Sequence, residues 1–181
     1  MTDTLYRSLD IGETTGRTLH GLAVPFNRSQ RVIDPGRAPY LEEFASSAFT
    51  RSLAHDSTRD MFVRHDYTQD PIANVTFHRS SEGLLFEAPL ARTQRGDEYL
   101  ELVKGGAMRG VSVGFKPIQH LVRGEVTVRT EAALRELSLT PSHMGQYQDA
   151  GVLAIRMQQD QDAAELRREI RRQSHRRLPV L

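Results

Sequence analysis

The stretch Met108-Arg109-Gly110-Val111-Ser112-Val113-Gly114-Phe115 admits two readings that lead to different folds. Val111, Val113 and Phe115 alternate with Ser112 and Gly114, the period of a strand with one apolar face. The same letters spell G-x-S-x-G, the pattern of a nucleophile elbow, in which a serine sits on a sharp turn from strand into helix. An elbow requires the helix immediately after the serine. Here Phe115-Lys116-Pro117 follows, and then polar, strand-like sequence. The surrounding chain also lacks the strand–helix alternation of a doubly wound sheet. The stretch therefore reads as a continuous strand, and the fold class as mainly β with helices (α+β).

Outward from this strand the same logic continues. Just before it, residues 96–104 fit a helix with acids early, Lys104 late and Gly105-Gly106 as its stop. Before that, strands at 72–77 and 84–90 joined by the turn Ser80-Ser81-Glu82-Gly83 make a hairpin. Residues 61–65 are a short apolar run ending at His65, and 46–54 read as a short helix with serine at its start. Residues 20–26 read as a half-buried strand, and Asp34-Pro35-Gly36 as a turn. On the other side, two strands are expected at 125–129 and 132–139. In the second, strict alternation puts Leu134, Glu136 and Ser138 on one face and Arg135, Leu137 and Leu139 on the other. Residues 157–177 are helical and polar, with a narrow stripe of Ala163, Leu166 and Ile170.

Composition bounds the function. A chain of 181 residues with 38% hydrophobic content builds one core. With 26% charged residues and a net charge of +1, it is neither an acidic disordered chain nor a generally basic nucleic-acid binder. Cysteine is absent, which removes disulfides, thiolate metal sites and any cysteine nucleophile. No tryptophan and 7% aromatic residues leave little for base stacking. No stretch approaches the ~20 apolar residues of a membrane span, and the first residues carry no apolar signal core. The expectation is a soluble intracellular protein with no membrane or specific nucleic-acid partner. From Arg156 onward seven arginines face Asp160, Asp162, Glu165 and Glu169. The chain thus divides into a body, 1–155, and a basic helical tail, 156–181. The tail reads either as a solvated terminal helix or as a docking arm.

Without cysteine, the nucleophile must come from serine or threonine, and the general base from the seven histidines. Ser112 lies mid-strand with Gly110 and Gly114 along its own face, gaps that leave room for a substrate backbone. From spacing alone it reads first as an ordinary strand serine, with glycines easing tight sheet packing. His65 ends an apolar run, which anchors its backbone and lets its ring reach an edge or cleft; a structural hydrogen-bonded histidine is the alternative. His78 reads as an exposed strand residue, and His20 and His143 are ambiguous. Glu136, on a leucine-rich strand, is either a surface acid, an arginine partner, or the carboxylate that orients a catalytic imidazole. No His-x-x-x-His or His-Glu-x-x-His pair and no calcium-loop spacing occur, so no metal and no cofactor is expected.

Six segments taken in order resemble the phage prohead maturation protease family: Gly21-Leu22-Ala23-Val24-Pro25-Phe26, Glu42-Glu43-Phe44 running to Ala48-Phe49, Val63-Arg64-His65-Asp66, Ser81-Glu82-Gly83-Leu84-Leu85-Phe86-Glu87, residues 106–115, and Leu134-Arg135-Glu136-Leu137-Ser138-Leu139-Thr140. They span residues 17–155, nearly the whole body. The resemblance implies a serine endopeptidase with the compact, mostly antiparallel β-barrel of the herpesvirus assemblins, surrounded by helices. It implies His65 as general base and Ser112 as nucleophile. For the third member it points to Glu136, with His78 and Asp66 in reserve, because the assemblins use a second histidine where the phage branch places an acid. It implies action in the host cytoplasm inside the assembling prohead. The substrate it implies is the scaffolding portion of the major capsid protein, and the enzyme itself; self-association, as in the assemblins, stays open. Two rivals remain at this level. One is an α/β-hydrolase esterase using Ser112, with a helix directly after it and a later base such as His143. The other is a non-catalytic capsid scaffold or assembly protein.

Overall fold

The computed structural model describes residues 5–10, 13–34 and 36–141. In chain order the elements are β1 (Leu5–Asp10), β2 (Glu13–Thr15), β3 (Thr18–Pro25), β4 (Gln30–Val32), β5 (Tyr40–Phe44), β6 (Thr58–Val63), β7 (Ala73–Arg79), β8 (Gly83–Pro89), α1 (Gln94–Lys104), β9 (Gly110–Arg123) and β10 (Val126–Thr140). They build one sheet in the order β1-β9-β10-β6-β7-β8-β3-β2, with β5 added to β10 and β4 to β5. The sheet curls into a half-barrel, so that β1 at one edge comes back against β3.

Alternation along each strand supplies the inside of the curl. Val111, Val113 and Phe115 of β9, Leu137 and Leu139 of β10, and Met61 and Val63 of β6 are all buried together with Val75, Phe77, Leu84 and Phe86. Phe44 joins this core by meeting Phe115 edge-on at 5.1 Å and stacking on Phe49 at 5.4 Å. α1 is capped by Thr93, whose hydroxyl accepts from the Gly96 amide at 3.1 Å, so the helix starts at Gln94, two residues ahead of the expected 96. It buries Leu100 and Val103.

Four expectations need correction. The sheet is mixed rather than mostly antiparallel, since β10 pairs in parallel with β5 along one half and with β6 along the other. The chain between β5 and β6 travels along the edge of β10 and re-enters in the same direction, which forces both pairings to be parallel. That connecting stretch, residues 46–54, is a run of turns and not a helix. Its amides bond at i,i+3 spacing at Ala48, Thr50 and Ala54, and the Ala48 carbonyl accepts from Ala132 of β10 instead of from a donor one turn on. Burial of Ala48 and Phe49 outweighs local helix preference. The two strands expected at 125–129 and 132–139 are one, β10, with register shifts near Glu131 taking up the irregularity. Finally, Leu134 does not share a face with Glu136, for a reason that shapes the site. The expected helix at 157–177 and His143 lie outside the described residues.

Candidate active site

β9 holds Ser112 by its neighbours. Val111 and Val113 are drawn into the core, which leaves Ser112 on the opposite face, in register with Ser138 of β10. Beyond the serine β9 runs on unbroken to Arg123, with no helix after it, contrary to the esterase alternative.

Glu136 reaches the same face through a bulge. Leu134 pairs with Phe115, yet Glu136 pairs with the adjacent Gly114, so Arg135 is an extra residue in β10. The slip keeps Leu134 on the core side with Leu137 and Leu139, while Glu136 and Ser138 both fall on the side of Ser112. Gly114 makes room for it: a Cβ there would collide with the Glu136 carboxylate. Gly110 similarly faces Thr140 and Pro141. These two glycines therefore admit side chains and backbone of the same protein, rather than standing open as gaps for a substrate.

His65 arrives from the end of β6. Arg64 and His65 both adopt left-handed backbone conformations, with φ of 54° and 59°. This region is sparsely used by residues other than glycine, and costs about 1–2 kcal/mol per residue. The turn is held at three amides: Arg64 N–H donates to Leu139 O at 3.0 Å, Asp66 N–H to Val63 O at 3.0 Å, and His65 N–H to Ser138 Oγ at 3.1 Å. So fixed, the ring lies between the other two groups. Nε2 is 2.9 Å from Ser112 Oγ and Nδ1 is 2.8 Å from Glu136 Oε1. Ser138 in turn donates to Glu136 Oε2 at 2.7 Å.

The protonation pattern follows from the donor inventory. An ionised carboxylate only accepts, so Nδ1 carries the ring proton and Nε2 presents its lone pair to the Ser112 hydroxyl. Glu136, 2% exposed, is bonded on both oxygens, as a buried charge must be. Ser112 is 1% exposed, whereas the His65 side chain is 21% exposed and forms the wetter end of the chain. Such an arrangement can draw a proton from the serine as its oxygen attacks a carbonyl, while the carboxylate stabilises the imidazolium that forms.

Ser112, His65 and Glu136 are thus brought together from three neighbouring strands. The reserves are not part of the group. His78 is exposed on β7. Asp66 is exposed and its Oδ1 accepts from the Thr68 hydroxyl at 2.6 Å and the Thr68 amide at 3.0 Å, bonds that hold its carboxyl below the usual range. Sequence reading missed Ser138 and the left-handed pair Arg64-His65. Ser138 carried one legible signal, its position two residues from Glu136 on a shared face; the backbone conformation carried none.

Comparison with known proteins adds the family. Residues 3–164 match the family model described as caudovirus prohead serine protease. Among solved structures, the capsid assembly protease of bacteriophage T4 is similar with a TM-score of 0.47 at 9% identity, over 76% of this chain and 96% of that one. No curated protein sequence matches.

Proposed function

Because the chain belongs to the caudovirus prohead serine protease family, and is therefore a serine peptidase of phage capsid maturation, we propose that Ser112, His65 and Glu136 are its nucleophile, general base and orienting acid. One observation carries this reading: an unbroken hydrogen-bonded chain, 2.9 Å from serine to imidazole and 2.8 Å from imidazole to carboxylate, joins residues 47 and 71 positions apart in sequence.

In the proposed reaction the Ser112 oxygen attacks the peptide carbonyl while its proton passes to His65 Nε2. Collapse of the tetrahedral intermediate breaks the C–N bond. The imidazolium returns the proton to the departing amine, leaving an acyl-enzyme on Ser112. Water, deprotonated by the same nitrogen, then releases the acid and restores the hydroxyl. Glu136 keeps the proton on Nδ1 throughout. No cofactor or metal takes part in this scheme.

As a family member the enzyme acts on capsid or scaffold protein within the assembling capsid in the host. The finer proposal is that its substrate is the scaffolding portion of the major capsid protein, together with its own chain. Residues 1–155 form the protease body, and 156–181 a basic arm that docks on the assembling shell or is trimmed in self-processing. Co-expression with the cognate capsid protein tests the assignment. Truncated capsid protein should appear with the wild type and be absent with Ser112→Ala or His65→Ala. Processing by all three refutes it, and favours a scaffold without catalysis.

A further inference from the structure

Ser138 ties the main chain of His65 to the side chain of Glu136, beside the main-chain bond by which Arg64 N–H already holds the turn to Leu139 O of β10. Its hydroxyl has one proton and two lone pairs. The proton goes to Glu136 Oε2 at 2.7 Å, since the carboxylate can only accept, and a lone pair accepts the His65 amide at 3.1 Å. The residue is 0% exposed, so bulk water does not compete for either bond. The three amides of the left-handed turn are not held alike. Arg64 and Asp66 donate to main-chain carbonyls, whereas His65, at the centre, donates to a side chain.

We propose that Ser138 is a positioning residue of the reaction: its hydroxyl clamps the backbone of the base to the carboxylate that orients the ring, so that His65 Nε2 stays aimed at Ser112. This rests on the assignment of Ser112 and His65 given above. Without the hydroxyl, the bond from the His65 amide to Ser138 and the bond to Glu136 Oε2 are both lost, so the carboxylate can rotate. Both losses displace the imidazole relative to Ser112. A misplacement of about 1 Å costs on the order of 10²-fold in rate.

A fluorophosphonate probe, which reacts covalently with an activated serine, reads the effect without a known cleavage sequence. Its limiting rate reports the alignment of base and nucleophile, and its half-saturation the binding of the probe. Full-length Ser138→Ala is expected to lower the limiting rate about 10- to 100-fold, with half-saturation within about twofold of wild type. Ser138→Thr, which keeps the hydroxyl, should restore most of the rate. A wild-type rate in Ser138→Ala, or equal slowing in the alanine and threonine variants, overturns the clamp. If circular dichroism shows Ser138→Ala to be unfolded, the pair Ser138→Thr and Ser138→Cys decides instead: threonine fast and cysteine slow supports the clamp, and equal rates overturn it. Ser112→Ala run alongside separates the two levels. Labelling that persists there overturns the nucleophile itself, not merely the role of Ser138.

Discussion

Gly114 has no side chain where the Glu136 carboxylate needs space. Gly114→Ala should force the carboxylate away from His65 and lower fluorophosphonate labelling by at least about 10-fold, with the protein still folded by circular dichroism. Labelling at the wild-type rate would show that Glu136 can move aside at no cost. Glu136→Gln is nearly isosteric but lets the ring adopt the other tautomer, so kcat for peptide cleavage should fall by roughly 10³- to 10⁴-fold. That Ser112, His65 and Glu136 would meet was legible because a serine, a histidine and an acid are chemically distinctive, and six ordered segments resembled a known family. Ser138 was legible only as a neighbour of Glu136 on one face, because a serine between leucines on a strand has the same letters whether it bonds within a site or faces solvent. The conformation of Arg64 and His65 was illegible for a different reason: neither is glycine, and two of the three bonds that hold the turn come from distant Ser138 and Leu139.

Elements tell a related story. β10 was foreseen as alternating, but its bulge at Arg135 was not, because a one-residue slip leaves no mark in composition; it shows only when Phe115 and Gly114 are paired across it. Residues 46–54 have helix-compatible letters, yet the bond from Ala132 of β10 to the Ala48 carbonyl and the burial of Phe49 against Phe44 set their shape. β1 is tied down by charge. Arg7 bonds Glu42 at 2.5 Å and Asp34 at 3.0 Å, and Arg129 bonds Glu42 at 2.7 Å, all nearly excluded from solvent. Tyr40 donates to Asp34 at 2.7 Å, and burial together with that bond pushes its phenol up, so it stays protonated as a donor. Arg7→Met would leave the Asp34 carboxylate without its salt bridge and Glu42 with one partner fewer. We expect a loss of about 3–5 kcal/mol in urea unfolding. The exposed pair Arg51–Glu131, with the arginine 84% accessible, should contribute under about 1 kcal/mol when Arg51→Ala is measured the same way. Equal losses would mean that the buried cluster does not anchor the strand.

For the molecule as a whole, the mainly β class was readable from period and turn chemistry, whereas the parallel docking of β5 and β6 on β10 was not, because strand direction depends on where a connection travels rather than on the strand's letters. Deletion of residues 157–181 tests the proposed arm. On the docking proposal, the truncated protein should cleave a free peptide at the wild-type rate yet be depleted from purified proheads, as measured by immunoblot. Unchanged incorporation would dispose of the arm. The three residues of the proposed site come from just past the end of β6, from β9 and from β10, and β6 meets β10 only after β7, β8, α1 and β9 have been synthesised. On that proposal no single hairpin of the described strands carries all three, so a nascent chain that still lacks β10 is expected to have no assembled site, and hydrolytic power to arise only when that strand pairs.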